Sequence, residues 1–295
     1  MKIAGTMAGA TGMSPMEEFK TKISREKAAA YGSETVEIIR QGKCTTPSGQ
    51  AVSIADDLER SVRGTVSYPP DATVPESASG SNKTNIEIKN ETTLSAATHL
   101  LVSGYKPVVL NFASATHPGG GFLSGALAQE EYLARSSGLF ACLENNPMYG
   151  FHRARRDSIY TDYVIYSPDV PVFRSDDGSL LENPYVISII TSPAVNAKYV
   201  QTERRAEILT AMWSRILRVL SVGRLHSHDS IVLGAWGCGA FGNDPTEIAK
   251  LFRRALEENF KGAYERVVFA IVDWSPEQRF IGPFHNIFET DAEQS

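Results

Sequence analysis

Unbroken apolar runs alternating with helix-like segments set the tightest limit on what this chain can fold into. PVVLNFAS, YVISIITSPAVN, SIVLGAWGCGAFGN and RVVFAIVD read as strands, most of them with no polar face. A strand without a polar face has to be covered on both sides, so the sheet lies between layers of helix. The helices follow in turn: ETTLSAATHLLVSG, QEEYLARSSGLFACLE, TERRAEILTAMWSRILRVLSVG and DPTEIAKLFRRALEENF. The third is the clearest amphipathic stretch. NIEIKN adds a strand, and YTDYVIYSPDVPVFR is β-branched and aromatic, with prolines at its bends.

Ahead of this core, Ser14-Pro15-Met16-Glu17 looks like a helix start, with Ser14 as cap. The helical pattern then runs through EEFKTKISREKAAAYGSETVEIIRQG. Residues 64–84 are rich in Pro, Ser, Gly and Thr and read as a long exposed loop. That loop is the one candidate boundary. The expectation is a single domain over 1–295, with 1–84 as an N-terminal helical accessory region.

The chain is ordinary globular material, 42% hydrophobic and 21% charged, with a formal net charge of -5. No basic surface points to DNA or RNA, so an anionic ligand would have to be met by backbone N–H groups in glycine loops or at helix starts. Cys44, Cys142 and Cys238 are far apart and form no CxxC pair, which argues against disulfides and structural zinc. The first residues, MKIAGTMAGATG, make a poor signal peptide, and no stretch has the apolar length of a membrane span. An intracellular protein, cytoplasmic or nuclear, with no membrane partner is expected.

Two glycine loops and one acidic pair carry the chemistry. VVLNFAS ends a strand, Gly119, Gly120 and Gly121 follow, and after seven more residues come Gln129, Glu130 and Glu131 at the start of a helix. Glycines at a strand's C-terminal end let backbone approach a ligand closely. Adjacent side chains on a helix point about 100° apart, so the two carboxylates are expected to take different tasks. On spacing alone, a solvated acidic helix start explains the stretch equally well.

The second loop, Gly234-Ala235-Trp236-Gly237-Cys238-Gly239-Ala240-Phe241-Gly242-Asn243, joins a strand to a helix capped at Asp244. Gly237, Gly239 and Gly242 satisfy GxGxxG, and Asp273 ends the next strand, which imitates a dinucleotide fingerprint. Its place near the chain's end, with the triple glycine left unexplained, argues against that reading. What remains is a loop whose N–H groups can face a phosphate, against a plain tight turn. His117 reads as an ordinary exposed loop histidine, and His226 and His228 as solvated residues of a polar loop. Cys238 reads as a small packed residue, and Arg153, Arg155 and Arg156 as a solvated basic face.

GGGFLSGALAQEE, together with NETTLSAA, VVLNFASATHPGGGFL, IYSPDVPVFR, TSPAVN and VLGAWGCGAFGNDP, resembles the microbial branch of the poly(ADP-ribose) glycohydrolases over roughly residues 20–280. The resemblance implies a macrodomain-like α/β fold, a mixed central sheet flanked by helices with an N-terminal helical extension. It implies hydrolysis of ribose–ribose bonds in poly(ADP-ribose), from the free end, with Glu131 as catalytic acid/base and Glu130 holding ribose hydroxyls. Gln129 would sit nearby, Ser114 would face the distal ribose, and Gly119 to Gly121 would line the distal ribose and diphosphate. Gly237, Cys238, Gly239, Ala240, Phe241 and Gly242 would cradle the diphosphate. Poly(ADP-ribose) or ADP-ribosylated protein would be the substrate and ADP-ribose the product, with no cofactor and no metal. Two rivals stay open: a mono-ADP-ribosyl hydrolase and a non-catalytic ADP-ribose-binding macrodomain.

Overall fold

A computed structural model describes residues 23–289. The expected helix start at Ser14 lies outside them. In chain order come helix α1 (Arg25–Gln41), a two-stranded hairpin of β1 (Lys43–Thr45) and β2 (Ala51–Ser53), α2 (Ala55–Gly64) and β3 (Val66–Tyr68). Then follow β4 (Asn85–Lys89), α3 (Thr93–Val102), β5 (Pro107–Phe112), α4 (Gln129–Ser136), α5 (Leu139–Leu143) and α6 (Pro147–Arg155). The chain continues with β6 (Val164–Arg174), β7 (Leu180–Ser192), α7 (Glu207–Leu225), β8 (Ser230–Leu233), α8 (Pro245–Arg254), β9 (Arg266–Ala270) and α9 (Ile281–Glu289).

Seven strands form one sheet in the order β3-β6-β7-β5-β8-β9-β4. From β7 to β4 all neighbours are parallel, and β6 pairs antiparallel with β3 and β7. Period-two alternation divides the apolar strands between two cores. Val108, Leu110, Ile231, Leu233, Val267 and Phe269 pack on the face covered by α7, α8 and α9. Val109, Val232, Val268 and Ala270 pack on the other face, under α3, α5 and α6. The sheet expected to be covered on both faces is therefore present, with the mixed, mostly parallel strand arrangement.

Within the described residues the helical pattern starts anew at α1: Ser24 is in extended backbone, and its side chain accepts from Lys27 N–H at 3.1 Å, so the cap sets the start at Arg25. The stretch 64–84 also departs from a plain exposed loop. Val66–Tyr68 is an edge strand, and the remainder crosses to β4 at the opposite edge of the sheet. Ala78 and Gly80 N–H donate to Asn259 and Lys261 carbonyls, both at 3.0 Å, and Asn82 N–H donates to Gly262 O at 3.2 Å. Those bonds satisfy backbone that the low apolar content of the sequence left without evident partners.

The parallel strands place every C-terminal end on one side. The loops after β5, β7, β8 and β9 meet there, and β5 lies between strands reached from opposite directions. That is the switch point where open α/β sheets form their crevices.

Candidate active site

A cleft of ≈ 820 Å³ opens at this switch point. Its floor is the end of β5, and Gln129 secures it. Gln129 Oε1 accepts from Phe112 N–H at 2.9 Å, while Nε2 donates to Leu110 O at 2.8 Å and to Thr93 Oγ1 at 3.1 Å. One amide side chain thus replaces the ladder partners that β5 loses as it leaves the sheet. Gln129 lines the cleft, but its hydrogen bonds are spent on strand and helix.

The next two residues also line the cleft, at 4% and 9% exposure. Glu130 Oε2 accepts from Ser114 N–H at 2.7 Å, and Glu131 Oε1 accepts from Gly121 N–H at 2.9 Å. The other oxygens, Glu130 Oε1 and Glu131 Oε2, are buried and have no hydrogen-bond partner among the described residues. Burial pushes the Glu130 carboxyl well above the usual carboxylate range. Ser114 N–H opposes that rise and the nearby charge of Glu131 adds to it.

The expected divergence of the pair is only partly met. A Cβ on Gly120 would fall within 2.9 Å of Glu130 Oε2 and closer still to Glu131 Oε1, so both carboxylates reach the same loop residue. The Cα–Cβ bonds diverge, but in the first turn of a helix long side chains can fold back onto the preceding loop. Gly120 sits at φ 60 and Gly119 at φ 69, left-handed backbone that suits glycine. Gly119 to Gly121 are themselves behind the lining; they shape it through the carboxylates they hold.

The second loop contributes Gly237, Gly239, Ala240 and Phe241 to the lining. Asn243 shapes it: Nδ2 donates to Val195 O at 2.7 Å and Gly237 O at 3.1 Å. Gly237 at φ 76 leaves no room for a side chain, since a Cβ there would meet Ala194 Cβ at 2.5 Å. Gly239 differs: nothing lies within 4 Å of its Cβ position. Gly242 and Cys238 do not line the cleft. Cys238 is 6% exposed in the core, and burial pushes its thiol up to about 12, which suits a packed residue and not a nucleophile. Asp273 is engaged by the fold: its carboxylate accepts from Ser275, Phe280 and Ile281 N–H and organises the turn into α9.

Other expectations need correction. His228 is 7% exposed and not solvated; its Nδ1 lies 2.9 Å from Lys106 O and its Nε2 2.9 Å from Tyr166 OH. His226 is half-buried and stacks on the Tyr166 ring at 3.5 Å. His117 is exposed, as read from sequence. Arg153, though exposed, donates to Thr116 O at 2.6 Å and so steadies the start of the first loop. Several cleft residues gave no local signal. Tyr132 donates to Asp176, whose other oxygen accepts from Thr92 Oγ1 at 2.7 Å, tying the β6–β7 turn to the acidic helix. Tyr31 of α1, Trp274 and Phe280 add aromatic walls.

Comparison with known proteins bears on this geometry. The family model for the microbial-type PARG catalytic domain matches residues 32–175. A crystal structure of poly(ADP-ribose) glycohydrolase from Thermomonospora curvata is 46% identical, covering 89% of this chain and 100% of its own, with a TM-score of 0.85. This chain belongs to the microbial-type poly(ADP-ribose) glycohydrolase family. The Thermomonospora curvata protein bound to the inhibitor ADP-HPD is similar at 47% identity and TM-score 0.84, with 89% and 100% coverage. The glycohydrolase from Deinococcus radiodurans in complex with ADP-ribose is 41% identical over 79% of this chain and 97% of its own, TM-score 0.74. No curated protein sequence matches the chain. The fold is that of these glycohydrolases.

Gly120→Ala should both destabilise and disarm this family member. Left-handed backbone costs a non-glycine residue about 1–2 kcal/mol, and the new methyl would push on both carboxylates. The expected result is a lower melting temperature together with loss of turnover; an active variant with the parent's melting point would contradict this packing.

Glu130 also makes stability depend on pH. Its folded value is raised above the unfolded one, so its contribution is full below the unfolded value, about 4.3, and is lost as pH rises through the folded value. Glu130→Gln avoids that loss. Calorimetry should show the variant melting above the parent near neutral pH, with the gap closing toward acid; a gap independent of pH would count against the assignment.

Proposed function

We propose that this chain hydrolyses ribose–ribose O-glycosidic bonds in poly(ADP-ribose), working from the free end and releasing ADP-ribose, with Glu131 as general acid/base. One observation carries the reading. Two adjacent buried carboxylates belong to the lining of the cleft, each with one oxygen held by a loop N–H. Backbone donors of this kind fix the direction of both carboxylates, and the hydroxyls of a ribose are donors that a carboxylate can accept. The glycohydrolases it resembles include one in complex with ADP-ribose and one bound to ADP-HPD.

Cleavage of a glycosidic bond passes through an oxocarbenium-like transition state. Glu131, protonated, gives its proton to the leaving ribose oxygen as the bond to C1 breaks. The resulting carboxylate then takes a proton from water as its oxygen bonds to C1, which restores the acid. Glu130 holds ribose hydroxyls beside it. Because both carboxylates share one wall, they do not form a pair on opposite sides of the sugar. The diphosphate lies against the second loop, where Gly239 leaves open space and Phe241 gives a ring. Asp244 already caps α8, accepting from Thr246 and Glu247 N–H at 2.8 and 3.1 Å, so loop backbone and not the helix start meets the phosphates.

Glu131→Gln keeps the size and loses the exchangeable proton. General acid–base catalysis contributes about 10²–10⁴-fold, so release of ADP-ribose from polymer should fall by at least that order, with ADP-ribose affinity little changed. A folded Glu131→Gln enzyme at the parent rate would end this mechanism. The parent should also act on polymer far better than on a mono-modified protein; the reverse preference would favour a mono-ADP-ribosyl hydrolase.

Gly239→Leu tests the second loop. The side chain has space in the unliganded fold, so melting should change little while ADP-ribose binding weakens by at least ~10-fold, about 1.4 kcal/mol. Unchanged affinity by calorimetry would take this loop out of the site.

A further inference from the structure

We infer that Arg135 is a positioning residue for Glu131, and the inference rests on the acid/base reading above. Arg135 stands four residues after Glu131 on α4, on the same helix face. It is 5% exposed and lines the cleft. Its guanidinium does not pair with the carboxylate in a salt bridge. Instead Nη1 donates to Ala126 O at 2.9 Å. Ala126 N–H donates to Gly121 O at 3.1 Å, and Gly121 N–H donates to Glu131 Oε1 at 2.9 Å. The three bonds and one helix turn close a ring. The Arg135 side chain thereby fixes the direction in which Gly121 N–H points, and so the direction in which Glu131 offers its free oxygen.

The far end of the ring is anchored from outside α4. The Arg135 carbonyl accepts from Thr35 Oγ1 of α1 at 2.6 Å and from Arg174 Nε of β6 at 3.0 Å. Arg174 in turn donates to Gly178 O and to Glu34, at 2.9 and 2.8 Å. A residue buried this deeply costs desolvation, which lowers the Arg135 guanidinium from its ordinary value; the charge of Glu131 acts the other way. A hydrophobic side chain of similar length would fill the space and supply no donor to Ala126 O.

Arg135→Met and Arg135→Lys separate positioning from packing. A small misplacement of a reacting group costs about 10²-fold, so R135M should lose roughly 10- to 100-fold in kcat on polymer. Its calorimetric Kd for ADP-ribose should stay within about threefold of the parent. R135K, which keeps a charged donor for Ala126 O, should recover much of the lost kcat. Hydrogen exchange should show faster exchange in the segment containing Gly121 N–H in R135M than in the parent. Parental kcat in R135M, or kcat and affinity falling together, or R135K no better than R135M, would overturn the inference. If R135M does not fold, Arg135→Gln takes its place with the same outcomes: reduced kcat at unchanged Kd, restored by R135K, supports the role, and parental kcat refutes it. Glu131→Gln keeps the two readings apart. If it is inactive while R135M is parental, only the role of Arg135 fails; if it is fully active, the acid/base reading itself fails.

Discussion

Ser114 N–H on Glu130 and Gly121 N–H on Glu131 are the bonds on which the cleft depends. Removing a carboxylate from water costs several kcal/mol even after relaxation, and here two adjacent ones are removed together. Backbone donors to a carboxylate are among the stronger hydrogen bonds. They also cannot rotate away, because each N–H belongs to a loop fixed at both ends. The first loop has the strand β5 at one end and α4 at the other, with Gln129 tying the two. If that knot loosened, the carboxylates would turn toward water and lose the direction that the loop gives them.

The glycines around the cleft do two different things. Gly120 and Gly237 have positive φ and no room for a side chain, so they are required by the fold around the ligand site. Gly239 has ordinary backbone and open space beyond it, so its lack of a side chain matters to whatever enters. A sequence shows all three as the same letter. Only the distance from each Cβ position to its neighbours distinguishes a glycine that makes the loop from one that admits a ligand.

Much of this was legible in the sequence because its signals are local. The apolar strands, the triple glycine before QEE and the loop from Gly234 to Asn243 each declare themselves within about a dozen residues, the scale on which periodicity and turn chemistry act. What escaped depends on contacts across long separations. Thr35 reaches the Arg135 carbonyl, Tyr132 reaches Asp176, and Asn82 reaches the Gly262 carbonyl, each across tens of residues or more. His226 and His228 looked solvated because their own neighbours are polar, yet Tyr166 from a distant strand covers both. The divergence of Glu130 and Glu131 was argued from Cβ directions, which say little about where a long side chain ends when a loop lies within reach.

The unpaired oxygens also bear on selectivity. A cleft whose acceptors were already satisfied would bind a sugar and a deoxysugar with similar ease. Glu130 and Glu131 each give only one oxygen to the loop N–H groups, so a ligand hydroxyl can be accepted by the other, and a deoxysugar offers none. Sites built around polar groups in this state reject an analogue lacking the matching hydroxyl far more strongly than an apolar pocket rejects a missing methylene. An oxygen used to give and take a proton must stay free of permanent partners, so the one-sided hydrogen bonding of Glu131 follows from the chemistry proposed for it. The surrounding knot of Gln129, Ser114, Gly121 and Arg135 is what keeps that arrangement in place between turnovers.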